Sequence, residues 1–219
     1  MKTLHSFLLL VIVTFFSCKK EVVEPAATAS QQQTTTRKNA PCPEYFYYYN
    51  NQQTPLGTAL TDKMIIGFAS GTPVAAKEAV VQQFKIINGI SAHYTNTVTD
   101  YMVVTLKPGT KCQDVEQAMQ DLEQHTSVLY ATPFLQINNS PQIVGITDEF
   151  LVTLSDSATY QDLQTLSQQT NTQIISDFGG GTYILSATKN AQGNALEMAN
   201  FFHEQPEVKI GEPNFFVQI

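Results

Sequence analysis

Basic residues are scarce in this sequence: 12 Lys and Arg stand against 19 Asp and Glu, a formal net charge of −7. A nucleic-acid partner calls for the opposite excess, so that class is set aside. Histidine occurs four times and cysteine three times. The histidines are scattered and have no Cys, Asp or Glu at ligand spacing, so no metal centre and no cofactor are expected. Tryptophan is absent, which leaves aromatic packing to 13 Phe and 9 Tyr. Phe7 to Phe16 is a run of ten residues, apolar except for Thr14. A permanent membrane helix needs about 20 such residues, so this run does not read as one.

With hydrophobic residues at 42 %, the chain has enough apolar material to build cores. Its first 17 residues read as a processing signal, with Lys2 as the charged start. Phe16-Ser17-Cys18 resembles a bacterial lipoprotein cleavage site, although Phe15 stands where that pattern usually has Leu. The resemblance implies cleavage before Cys18, lipidation of its thiol and amine, and a place in the cell envelope held to the membrane by lipid. An ordinary secretory signal is the alternative. Residues 18–43 are rich in Ala, Thr, Ser and Gln without periodicity, a flexible tether. If Cys18 carries lipid, Cys42 and Cys112 remain as an even pair in an oxidising compartment. A bridge between them is allowed there, and two free thiols are the alternative.

Beyond the tether, 44–61 is a tyrosine-rich lead-in, expected to lie on the first folded unit as an arm or short hairpin. Amphipathic packing with wet hydroxyls is the favoured reading of the tyrosine row over a stacking surface for sugars or bases. Alternation and helical spacing then predict strands at 63–68, 89–94, 101–106 and 127–131, with helices at 74–86 and 113–125. The same order returns after residue 148, with strands at 149–154, 173–178 and 182–187, helices at 159–170 and 194–204, and a last strand. Gly179-Gly180-Gly181 falls between two strands, and no Lys-Ser or Lys-Thr follows it. It reads as a hairpin turn rather than a phosphate loop.

The two halves echo each other. Val128, Tyr130 and Pro133 match Val208, Ile210 and Pro213, and Leu135-Gln136-Ile137 resembles Val217-Gln218-Ile219 after a short slip. Such an echo points to duplication of a whole unit. The expected fold class is α+β, two tandem ferredoxin-like βαββαβ units at 62–137 and 148–219, joined by a linker at 138–147. Each unit would be an antiparallel four-stranded sheet with two helices on one face. An RNA-binding version of that fold needs basic and aromatic residues on its central strands. Here 64–68 and 101–106 carry no Lys or Arg.

Val128-Leu-Tyr-Ala-Thr-Pro133 resembles the end of the propeptide of subtilisin-like serine proteases, and Glu207-Val-Lys-Ile-Gly-Glu-Pro-Asn214 is a second, closer instance. The family's serine motif, Gly-Thr-Ser-x-Ala, and its His-Gly-Thr motif are both missing, and His93, His125 and His203 have no serine–acid pattern around them. Hydrolysis is therefore not expected. The resemblance implies binding of a subtilisin-like protease, as inhibitor or folding template. The open sheet face would pack on the enzyme, and an extended tail would lie in its cleft as an added strand. Asn214, Phe215, Phe216, Val217, Gln218 and Ile219 would form that tail. Packing within the protein is the competing reading of the same apolar residues, since exposed apolar tails are costly unless used. A structural or adhesion module of the envelope is the alternative function, and a protease remnant is a third.

Overall fold

The computed structural model describes residues 41–95, 98–137 and 140–217. They begin with a hairpin, β1 (Tyr45–Tyr49) and β2 (Gln52–Gly57), paired as a separate two-stranded sheet. Its turn is Asn50-Asn51, both at positive φ (49° and 59°). Two such residues make the tight turn whose twist suits a hairpin, and asparagine tolerates that backbone better than most side chains.

The first half follows as β3 (Lys63–Ala69), α1 (Val74–Val81), β4 (Ile87–Thr95), β5 (Thr99–Leu106), α2 (Cys112–Glu123) and β6 (Val128–Gln136). The second half is β7 (Ile143–Leu154), α3 (Tyr160–Thr170), β8 (Gln173–Gly179), β9 (Thr182–Ser186), α4 (Ala195–His203) and β10 (Val208–Val217). The described body is thus mixed α+β, with four helices and one eight-stranded sheet besides the hairpin. Every strand pairing in it is antiparallel. The order runs β4-β5-β3-β6-β7-β9-β8, with β10 added on β7.

Strand alternation explains why the sequence reads as near-continuous apolar runs. Met64, Ile66 and Phe68 of β3 and Met102, Val104 and Leu106 of β5 enter one core, covered by Val80 and Val81 of α1 and Val115, Met119 and Leu122 of α2. The intervening Ile65, Tyr101 and Val103 point to the opposite face and are buried there with Tyr130 and Phe134. Sheets buried on both faces lose the clean polar–apolar alternation of a half-exposed sheet. In the second half Phe150, Val152, Leu154, Tyr183 and Leu185 meet Leu163 and Leu166 of α3 and Leu196, Ala199 and Phe202 of α4.

Several boundaries differ from those expected. Helix α1 stops at Val81 rather than 86. Tight turns at Gln83 and Phe84 follow it, and the Ile86 carbonyl accepts the Lys107 N–H. Phe84 and Ile86 pack on the first core from that turn, so tertiary contacts override the helical spacing. Pro73 sits at the cap position and Thr72 folds its hydroxyl back onto the Ala69 carbonyl, one position off the anticipated cap. Strand β6 continues through Pro133 to Gln136, and β7 begins at Ile143, inside the stretch expected to be linker. The two are paired directly, Phe134 with Gly145 and Gln136 with Ile143, so the halves share one sheet. The hairpin, expected on the first half, lies largely on the second: Leu56 is fully buried in the second core, and Tyr45 and Tyr47 pack against it. Gly179, Gly180 and Gly181 make the β8–β9 turn, with φ of 79°, 62° and 79°. Only glycine takes three such values in a row without strain.

Candidate functional site

The end of β10 is where the tail residues lie. Pro213 pairs with Phe150, a bulge follows, and then Phe215 pairs with Ile146, Phe216 with Gly145 and Val217 with Val144. Proline has no N–H to offer a ladder, so it is placed where one sheet edge is free. Among the described residues β7 is the one strand that pairs with β10. The Thr147 hydroxyl donates to the Asn214 carbonyl (2.6 Å), and the Asn214 amide donates to Glu149 Oε2 (2.9 Å). Phe215 and Phe216, as neighbours on a strand, go to opposite faces. Phe215 meets the Tyr47 ring edge-on at 5.3 Å and packs on the second core. Phe216 lies against Tyr94 (4.8 Å), Tyr101 (5.9 Å) and Phe134 (6.1 Å). Val217 is 42 % exposed, and Gln218 and Ile219 lie outside the described residues.

Gly145 makes this crossing feasible. A Cβ there would stand 2.5 Å from Ile65 Cδ1 and 3.0 Å from the Phe134 ring. The strand shared by the two tails needs a residue without a side chain at this point.

A buried polar cluster joins the halves beside it. Asp148 accepts the Thr99 hydroxyl at 2.9 Å on one oxygen and the Ser186 hydroxyl at 2.8 Å on the other. It is 1 % exposed, and burial pushes its carboxyl above the usual range, against the lowering effect of those hydrogen bonds. Burial and the neighbouring Asp148 likewise hold the Tyr130 hydroxyl protonated. Ser186 therefore donates to a carboxylate with no imidazole between them. His93 lies 3.9 Å from Glu78, His125 accepts the Ser127 N–H, and His203 stacks on Tyr48. A second buried pair, Lys77 with Asp100 at 3.0 Å, pins α1 to β5, and the Gly71 N–H donates to the same carboxylate oxygen. Sequence reading missed both clusters. The one available signal was Lys77 standing on the apolar spacing of its helix, three residues from Val74 and three from Val80.

The hairpin borders the same region. Cys42 and Cys112 are joined as a disulfide, their Cα atoms 6.0 Å apart, which fastens the entry to β1 onto the start of α2. Tyr45 donates to Glu116 of α2 (2.7 Å). Tyr48 donates to Glu204 (2.8 Å) and stacks on His203 with ring centroids 4.3 Å apart. Asn200 of α4 donates to the Phe46 carbonyl (2.9 Å).

No protein-family model matches this sequence, and no curated protein matches it closely enough to count as a relative. The site stands on its own geometry. Among the described residues no group of three or more His, Cys, Asp or Glu is placed to hold a metal ion. No described helix is long and apolar enough to cross a membrane. Cys18, the lipidation candidate, lies outside the described residues.

Proposed function

We propose that this chain is a non-catalytic, lipid-anchored envelope protein that binds a subtilisin-like protease through its second half. In this reading each half is a ferredoxin-like unit of the propeptide type. The strand orders β6-β3-β5-β4 and β10-β7-β9-β8 support it, since each is a split βαβ arrangement with the last strand placed outside the first.

One observation carries the binding surface. In the first half, the sheet face opposite the helices is occupied: Leu60, Ile143 and Phe216 pack on Ile65, Tyr101 and Phe134. The corresponding face of the second half has no such cover among the described residues. There Leu151, Thr153, Thr182 and Ile184 alternate with core residues and remain partly exposed. Ile210 stands beside Thr153 in the register and is 39 % exposed. A part-apolar sheet face beside a strand with a free edge suits a protein partner that both packs and pairs. The test is titration of the purified protein against subtilisin-like proteases. Inhibition at micromolar protein that is weakened by Ile184→Lys is the expected result, and no inhibition by the unaltered protein, with the Cys42–Cys112 bridge closed or reduced, overturns the proposal.

A structural or adhesion role is favoured by a different observation, that Phe215 and Phe216 are both taken up within the body. Pull-down from envelope extracts separates the two readings. A protease in the eluate supports the first, and glycans or other envelope proteins support the second.

A further inference from the structure

The β1–β2 hairpin is fastened at both ends but held loosely in the middle. One end continues through residues 58–62 into β3, and the other is closed by the Cys42–Cys112 bridge just before β1. Between them the contacts are of two kinds. Leu56, next to the β3 end, is fully buried in the second core. Strand β1, next to the bridge, is held by side-chain contacts at a partly exposed surface: Tyr45 to Glu116, Tyr48 to Glu204 and His203, and Tyr47 to Phe215. The Asn200 amide adds one bond to the Phe46 backbone. Anchorage is thus by full burial at Leu56 and by partly exposed side chains toward Cys42, where Tyr45 packs on the margins of both cores.

We infer that the hairpin is a redox-released cover over the end of β10, latched by the Cys42–Cys112 disulfide. This rests on reading β10 and its end as the binding strand, and it adds the regulation of that strand. With the bridge closed, both ends of the hairpin are fixed and Tyr47 stays over Phe215. With the bridge open, the Cys42 end is free, and β1 and the turn lift away about Leu56 and Gly57, whose φ is 71°. Both cysteines are partly exposed, so a reductant reaches them.

The opening step is thiol–disulfide exchange with a dithiol. A thiolate of the dithiol attacks one sulfur of the pair, the S–S bond breaks, and a mixed disulfide forms. The second thiolate then displaces the protein sulfur. The dithiol is oxidised by two electrons to its own disulfide, and Cys42 and Cys112 leave as two thiols, each taking a proton.

The experiment is hydrogen exchange on the full chain, read by mass spectrometry, before and after dithiothreitol, and on the Cys42→Ser/Cys112→Ser variant. Exchange of the amides in 45–51 and 214–217 is expected to rise about tenfold or more in the reduced protein and in the variant, as for a locally opening segment. Strands β3, β7 and β9 are expected to stay protected. Unchanged exchange in 45–51 overturns the inference. Acceleration spread over β3 and β9 also overturns it, since the bridge is then a staple of the whole body. Local release without protease binding by either form sustains the cover and removes the protease reading, so the two fail separately.

Discussion

Gly67→Ala adds one methyl group and tests the packing between β3 and β6. Gly67 lies directly opposite Tyr130, whose ring folds across the glycine and is 2 % exposed. An added Cβ would stand 1.9 Å from Cε1, 2.2 Å from Cδ1 and 2.4 Å from Cζ of that ring. Carbon atoms rest about 3.5–4.0 Å apart, so the ring must retreat by roughly 1.5 Å. It has no room to do so, because Ile65, Tyr101, Val103 and Phe134 enclose it. Overpacking of this kind costs about 1–3 kcal/mol, and a clash with three ring atoms belongs at the upper end. The assay is urea unfolding followed by tyrosine fluorescence and far-ultraviolet circular dichroism, with the slope expected unchanged and the midpoint lowered. Tyr130→Leu supplies the control, because leucine ends short of the Cε1 and Cζ positions. In that background Gly67→Ala is expected to lose most of its cost, a coupling of about 1–3 kcal/mol. A cost below about 0.5 kcal/mol, or an equal cost in both backgrounds, means that the Tyr130 ring does not fill the space over Gly67.

Three further expectations follow from the buried groups and one cap. Because burial raises the Asp148 pKa in the folded protein, its contribution to stability is fully present below the ordinary carboxylate range and is lost as pH rises through the raised folded value. Asp148→Asn is therefore expected to match or exceed the parent near pH 7 and to lose that advantage toward pH 4; thermal unfolding across that range checks it, and a pH-independent difference contradicts it. Lys77→Met strands Asp100 as a buried charge and is expected to cost about 3–5 kcal/mol in urea unfolding, with much of it recovered when Asp100→Asn is added. Thr159 caps α3 by accepting the Asp162 N–H while Asp162 returns the favour at the Thr159 N–H, so Thr159→Ala is expected to cost about 1 kcal/mol in a melting experiment.

Helices and strands within each half were largely legible because their cues are local. The spacing of Val115, Ala118, Met119 and Leu122 marks α2, and all four are buried. The glycine triplet marks the β8–β9 turn by backbone chemistry alone. What escaped was long-range. Ile143 to Thr147 is β-rich, but it follows Asn138-Asn139-Ser140-Pro141, whose turn signals made the whole stretch read as linker. Its pairing with both β6 and β10 depends on Gly145 meeting Phe134 across the β6–β7 pair and Ile65 and Phe216, which are far away along the chain. The hairpin was assigned to the neighbouring half in sequence, whereas its partners Asn200, His203, Glu204 and Phe215 stand at the other end of the chain. Asp148 gave no sign of burial, since an acidic residue ahead of a strand usually faces water.

The contact between Tyr48 and Glu204 spans 156 residues, and that between Asn200 and Phe46 spans 154. Proteins emerge from the ribosome in order, so the tyrosine strand is made long before the helix it rests on exists. Its five residues, with three consecutive tyrosines, wait through the synthesis of nearly everything else. Strand β7 is in a similar position, since its partner β10 is the last strand in the described chain. Contacts of such separation slow folding. The hairpin therefore pairs early with itself, while its tyrosine face stays bare until α4 and β10 arrive to receive it.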